Sequence, residues 1–355
     1  VDPEASTVIV DKRLSTEEYV DGMATHTARI RHQRTTVNEG FMLDDSMPRP
    51  ERHFEALASM VGNTPLLRVP TPATADARLL IKLEGYNPTG SVKDRACVAM
   101  LQAIERDPEW DWSKTLLDAS SGNMGCSIAY FGKAFGANVR IVSSRKLTAE
   151  KRRFMDYFEA SVETVGDFTI EGNRYCRELA ESEPGKFYFL DQLHNTENPM
   201  AHVRGTGPEI LSEVPEVTAV IGSIGSGGTL LGVGSYLKQM NDQIKIFAVE
   251  AASGTRLPGI AALIDGDYRT PFIEEGFKRN IFDSSIQVSE AEVVETARLL
   301  TPVGVFGGLQ TYAVITAARR LIESHDLRGD VVAISGDTGW KNMDALTQKV
   351  LGCRD

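Results

Sequence analysis

Cysteine is scarce. Cys97, Cys126, Cys176 and Cys353 lie far apart in 355 residues, with no CxxC pair. That spacing argues against a disulfide scaffold or a structural zinc site and points to a reducing, cytoplasmic setting. The six histidines show neither HExxH nor His-x₃₋₅-His spacing, so no metal site is expected. No apolar run reaches the length of a membrane-spanning helix. Residues Val1–Val20 are polar and acidic and lack the apolar core of a secretory signal. The first residue is valine, which suggests processing or a start inside a longer chain. Basic residues are in deficit, 38 against 49 acidic ones, for a formal charge of −11. An acidic surface disfavours nucleic acid and anionic membrane as partners.

The sequence does hold an alternation. Residues 1–53 are polar and read as an N-terminal extension, an arm packed on the surface or on a partner subunit, with a short helix beginning at Thr16–Val20. From residue 54, short apolar or β-branched runs recur: Leu79–Ile81, Thr115–Leu117, Val139–Val142, Val217–Ile221, Ile244–Val249 and Val331–Ile334. They read as buried parallel strands. Helical patterns separate them, at Val92–Ile104, Ile128–Phe135, Leu230–Met240 and Ala291–Leu300. The expected class is α/β with parallel sheets.

Three loops carry chemistry. In Asn87-Pro88-Thr89-Gly90-Ser91-Val92-Lys93-Asp94-Arg95, Ser91 and Asp94 have the spacing of a capping box, which puts Lys93 in a helix's first turn. The helix dipole and a dry site would both favour the neutral amine that Schiff-base chemistry needs. Ser120-Ser121-Gly122-Asn123-Met124-Gly125 runs from a strand into a helix and offers unpaired N–H groups to a carboxylate or phosphate. Gly225-Ser226-Gly227-Gly228-Thr229 has the same placement, and its glycines let backbone wrap a phosphate. It has no GK[ST] ending and no Rossmann acidic partner. Taken singly, Lys93 also reads as a surface lysine, and the other two loops as plain strand-to-helix turns. Together they supply an amine, a carboxylate site and a phosphate site.

Gly62-Asn63-Thr64-Pro65-Leu66, the Asn87–Arg95 run, Ser120–Gly125, Gly205–Ile210 and Gly225–Thr229, in that order, resemble cysteine synthase and cystathionine β-synthase, fold-type II enzymes that use pyridoxal 5'-phosphate (PLP). The resemblance implies two open parallel-sheet domains with the site between them. Residues 54–90 and 205–355 would form the larger, PLP-binding domain, and 91–204 a smaller mobile domain carrying the asparagine loop. It implies a homodimer. It makes Lys93 the Schiff-base lysine and α-proton shuttle, and Asn123 a partner of the cofactor's phenolic oxygen. Gly225, Ser226, Gly227, Gly228 and Thr229 would hold the phosphate. Ser120, Ser121, Gly122, Met124 and Gln192 would meet the substrate, and Thr338 the pyridine nitrogen, with Asp337 its competitor for that place. The implied reaction is β-replacement on an activated serine or related amino acid by a small nucleophile, through an aminoacrylate.

Three places depart from the family pattern, one of them the segment Arg256–Phe277, which matches poorly. Met124 stands where a threonine is usual. Gly307–Ala313, expected at the site's entrance, carries Gln310 and Tyr312 in place of small residues. These departures argue against a housekeeping cysteine synthase and favour a specialised relative. A β-elimination lyase or deaminase of the same fold is the competing reading. A non-catalytic binding protein is disfavoured by Lys93, Asn123 and the glycine loop.

Overall fold

A computed structural model describes residues 51–71, 76–266, 268–324 and 326–352. The helix expected at Thr16–Val20, and nearly all of the extension, lie outside them. Ten strands follow in chain order: β1 (Leu66–Val69), β2 (Ala77–Leu83), β3 (Thr115–Ala119), β4 (Asn138–Ser143), β5 (Ser161–Thr164), β6 (Phe187–Phe189), β7 (Val217–Ser223), β8 (Lys245–Ala251), β9 (Ser284–Val288) and β10 (Gly329–Ser335). They form a six-stranded sheet of order β1-β2-β10-β7-β8-β9 and a four-stranded sheet of order β5-β4-β3-β6.

In the larger sheet β10 is central, with Val331 opposite Leu79 on one side and Ala219 on the other. Both faces of β10 are buried, which is why Val331–Ile334 is a continuous apolar run and not an alternating one. Helices Glu290–Leu300 and Leu309–Glu323 cover one face, packing Val293, Leu300 and Ile315 against Leu79, Ile81 and Val331. Helices Gly207–Glu213, Gly228–Met240 and Pro271–Lys278 cover the other, where Leu230, Leu237 and Ile273 meet Val220 and Val332. The expected all-parallel pattern fails at one edge, because β1 pairs with β2 antiparallel. β1 is short and half-exposed, and follows the turn at Gly62 and Asn63, both of which have positive φ.

The smaller sheet is wholly parallel. Phe131, Phe135, Met100 and Ile128 pack on one face against Leu116 and Ile141. Phe54 and Ala58 belong to that same cluster, and Phe54 meets Phe135 edge-on with ring centroids 5.1 Å apart. The helix Glu51–Ala58 spans the boundary expected at residue 54, and its Phe54 and Ala58 pack with the helix Asn123–Phe135 of the smaller sheet.

Candidate active site

The helix Lys93–Ile104 begins at the lysine itself. The expected capping box is not what starts it. Ser91 is held extended by a backbone pairing with Asp337, and its Oγ has no partner among the described residues. Asp94 instead reaches back to the Thr89 N–H at 2.7 Å and accepts from Ser127 Oγ at 2.6 Å. This fastens Pro88–Gly90 under the helix and aims Lys93 out of its first turn.

Lys93 lies in the wall of a small cavity, shared with Val92, Gly225, Thr229, Gly259 and Gln310. Burial lowers its pKa to about 8 from 10.5, and the Asp337 carboxylate pushes it back upward. Loss of hydration disfavours the charged amine more than one carboxylate stabilises it. The folded pKa lies below the unfolded one, so the unfolded chain binds more protons between pH 8 and 10.5. Stability from this group rises with pH across that window. The cofactor-free protein should therefore be less stable than its Lys93→Met variant at pH 7, with the gap closing between pH 8 and 10.5 in urea titrations. A gap that stays constant would mean that the amine carries no burial penalty.

Asn123 opens the helix Asn123–Phe135, where the loop after β3 turns it toward Asp337. Its Nδ2 donates to Asp337 Oδ2 at 3.0 Å, and Asn342 Nδ2 donates to the same oxygen at 3.0 Å. Asn123 Oδ1 and Asp337 Oδ1 are buried without partners among the described residues. Orphaned oxygens of this kind are rare in folded proteins and call for an explanation.

The loop after β7 is cut to fit an anion. Gly227 has φ +85°, and a Cβ on Gly225 would fall 2.6 Å from the Gly259 carbonyl oxygen. The N-cap residue Gly227 has no side chain to cap the following helix, Gly228–Met240, and Ser226 Oγ accepts from the Gly228 N–H only at 3.5 Å, so the loop offers an anion the positive end of the dipole. Thr229 lies in the cavity wall. A buried amine, orphaned oxygens and an uncapped glycine cradle together fit PLP. Lys93 would bind it covalently, Gly225–Thr229 would take the phosphate, and Asn123 would face its ring.

Several expected contacts are redirected. Met124 is buried in the smaller domain's core with Ile141 and Met155. Ser120 Oγ accepts from the N–H groups of Gly122 and Gly125, at 3.2 and 3.0 Å. It shapes the loop, while Ser121 and Gly122 stay partly open. Gln192 Nε2 donates to the Ala119 carbonyl at 2.9 Å, which turns that amide to backbone. Thr338 is outside the cavity wall: its Oγ1 accepts from the Trp340 N–H, and its methyl group packs toward Gly85 and Gly90. Asp337 occupies the place at Asn123. Gln310, expected at the entrance, is in the cavity wall, wedged between Gly259 and Gly336. Tyr312 points into the core, where its hydroxyl donates to Val305. Asn198, Asn342 and His202 were not singled out from the sequence, because isolated polar residues carry no spacing signal.

Residues 57–337 match the family model described as pyridoxal-phosphate dependent enzyme. The chain belongs to the PLP-dependent enzymes. It is 32% identical to cysteine synthase B of Pseudomonas aeruginosa over 292 residues, 81% of this chain and 95% of that protein. It is 33% identical to cysteine synthase of Aquifex aeolicus, over 81% of this chain and 90% of that one. These relatives place it in the cysteine synthase group. A solved structure of a hydrogen sulfide-producing enzyme from Fusobacterium nucleatum superposes with TM-score 0.73 and 27% identity, covering 81% of this chain and 97% of that one. O-ureido-L-serine synthase shares the fold, with TM-score 0.74, 24% identity, and coverage of 84% of this chain and 95% of that one. As a member of this group, the protein uses PLP.

Proposed function

We propose that this PLP-dependent enzyme replaces the β-substituent of an activated serine or related amino acid with a small nucleophile, giving cysteine or another β-substituted alanine. The buried Lys93 amine, facing one cavity with the Gly225–Thr229 cradle, carries the reading. PLP supplies an electron sink for charge that develops at the substrate's α-carbon. With its pKa lowered to about 8, Lys93 Nζ reaches the neutral form near physiological pH and is suited to take the α-proton and later return it. The N–H groups of Ser121 and Asn123, at the entry to a helix, are suited to the substrate carboxylate. Asp337 holds Asn123 in place for the ring. Met124 lies in the core and not in the cavity wall.

A homodimer and a reducing compartment belong to the same reading. The first is supported by the family resemblance, the second by the buried free thiols of Cys97, Cys126 and Cys176. No helix among the described residues is long and apolar enough to cross a membrane.

The test is a donor screen. The holoenzyme's visible absorption is recorded while O-acetylserine, O-phosphoserine, serine and cysteine are added in turn, and products are analysed with and without sulfide. One donor should shift the spectrum to longer wavelength and give a β-substituted alanine only when the nucleophile is present. Pyruvate and ammonia as the sole products, whatever nucleophile is added, would make the enzyme an elimination lyase.

A further inference from the structure

Behind the phosphate cradle sits a histidine for which β-replacement chemistry has no evident use. His202 follows the helix Glu197–Ala201, in a wide turn spanning His202–Thr206, and is fully buried. Its Nδ1 lies 2.9 Å from Thr206 Oγ1, and its Nε2 lies 3.1 Å from Thr229 Oγ1. Thr229 is the last residue of the cradle and lines the cavity. The three side chains form an unbroken line from the interior to the cavity wall.

A neutral imidazole donates from one nitrogen and accepts at the other, and each hydroxyl can do either. The line therefore has two polarities. In one, Thr206 donates to Nδ1 and Nε2–H donates to Thr229, leaving the Thr229 proton free to point into the cavity. In the other, Thr229 spends its proton on Nε2 and offers the cavity only lone pairs. Burial, and then Arg95 and Lys93, hold His202 well below its ordinary pKa, so the ring is neutral and both polarities are open to it. An anion at the cradle accepts hydrogen bonds and gives none, so it selects the first.

We propose that His202 is a positioning residue for the cofactor phosphate: its Nε2–H donates to Thr229 Oγ1 and turns the Thr229 hydroxyl proton toward a phosphate oxygen. This rests on reading Gly225–Thr229 as the phosphate site. No bond is made or broken. The effect is one preset hydrogen bond to a charged acceptor, a class stronger than neutral pairs.

The test compares binding of PLP with binding of pyridoxal, which lacks the phosphate, to cofactor-free enzyme. His202→Phe should weaken PLP by about tenfold and leave pyridoxal within about twofold. His202→Gln, whose amide keeps a donor toward Thr229, should recover most of the loss. Thr229→Val should cost a similar factor, and the double variant little more, because both act through one hydrogen bond. Equal weakening of PLP and pyridoxal by His202→Phe would overturn the proposal, as would additive losses. Nitrogen-15 NMR of the intact holoenzyme provides a check that needs no variant: the Nε2–H tautomer is expected at His202, and the Nδ1–H tautomer overturns the assignment. If the wild-type protein binds pyridoxal as tightly as PLP, the phosphate reading of the cradle itself fails, which is a different result from a failure at His202.

Discussion

Lys93→Ala should lower turnover by more than about 100-fold, the scale of a lost general acid–base group, and should leave any PLP bound without a covalent link. The protein should fold at least as well as the wild type, because Lys93 is a desolvated amine at the positive end of the helix Lys93–Ile104. Steady-state kinetics, visible absorption and a thermal melt on the same preparation read all three effects. Turnover within about tenfold of wild type would remove Lys93 from the chemistry. Loss of activity together with loss of fold would leave its role undecided between support and catalysis, and the melt is there to exclude that.

The second large effect is on stability. Arg95, two residues further along the same helix, is 6% exposed. Its Nε donates to Glu84 Oε2 at 2.6 Å, and its Nη2 to Glu84 Oε1 at 2.8 Å. Its Nη1 and Nη2 reach the two Glu209 oxygens, both at 2.7 Å. Glu84 is fully buried and also receives Thr64 Oγ1 at 2.7 Å and Asn87 Nδ2 at 2.9 Å. The planar guanidinium serves two carboxylates at once, so this network ties the lysine-bearing helix to β2's far end and to the helix Gly207–Glu213. Arg95→Met would strand the Glu84 charge without its main partner. The expected loss is about 3–5 kcal/mol, or a melting point lower by roughly 10 °C. Arg95→Lys should recover little, since an ammonium cannot match the two forks. A loss below about 1 kcal/mol in Arg95→Met would mean that the apolar packing of Ala96 and Val98 already fixes this helix.

The strands legible in the sequence were the interior ones. β2, β3, β4, β7, β8 and β10 bury most of both faces and so show as apolar runs. The four that escaped, β1, β5, β6 and β9, are the edges of the two sheets. An edge strand has one partner and a partly wet face, so Ser284, Ser285 and Gln287 in β9 read as loop. In the site, the glycines and Lys93 were legible because backbone geometry and helix starts leave local signals. Side-chain direction was not. Met124 and Gln310 differ from the family by identity alone, and only the fold shows that the first faces a core and the second the cavity. Thr338 and Asp337 are neighbours, and the turn at Gly339–Asn342, which takes the Thr338 hydroxyl as its cap, sends them different ways.

The most direct test of the central claim reduces the purified holoenzyme with borohydride, digests it and maps the modified peptide by mass spectrometry. A phosphopyridoxyl group on Lys93 is the expected result. The label on another lysine, or a protein that takes up no PLP and yields no labelled peptide, would contradict the assignment of Lys93 as the cofactor's anchor.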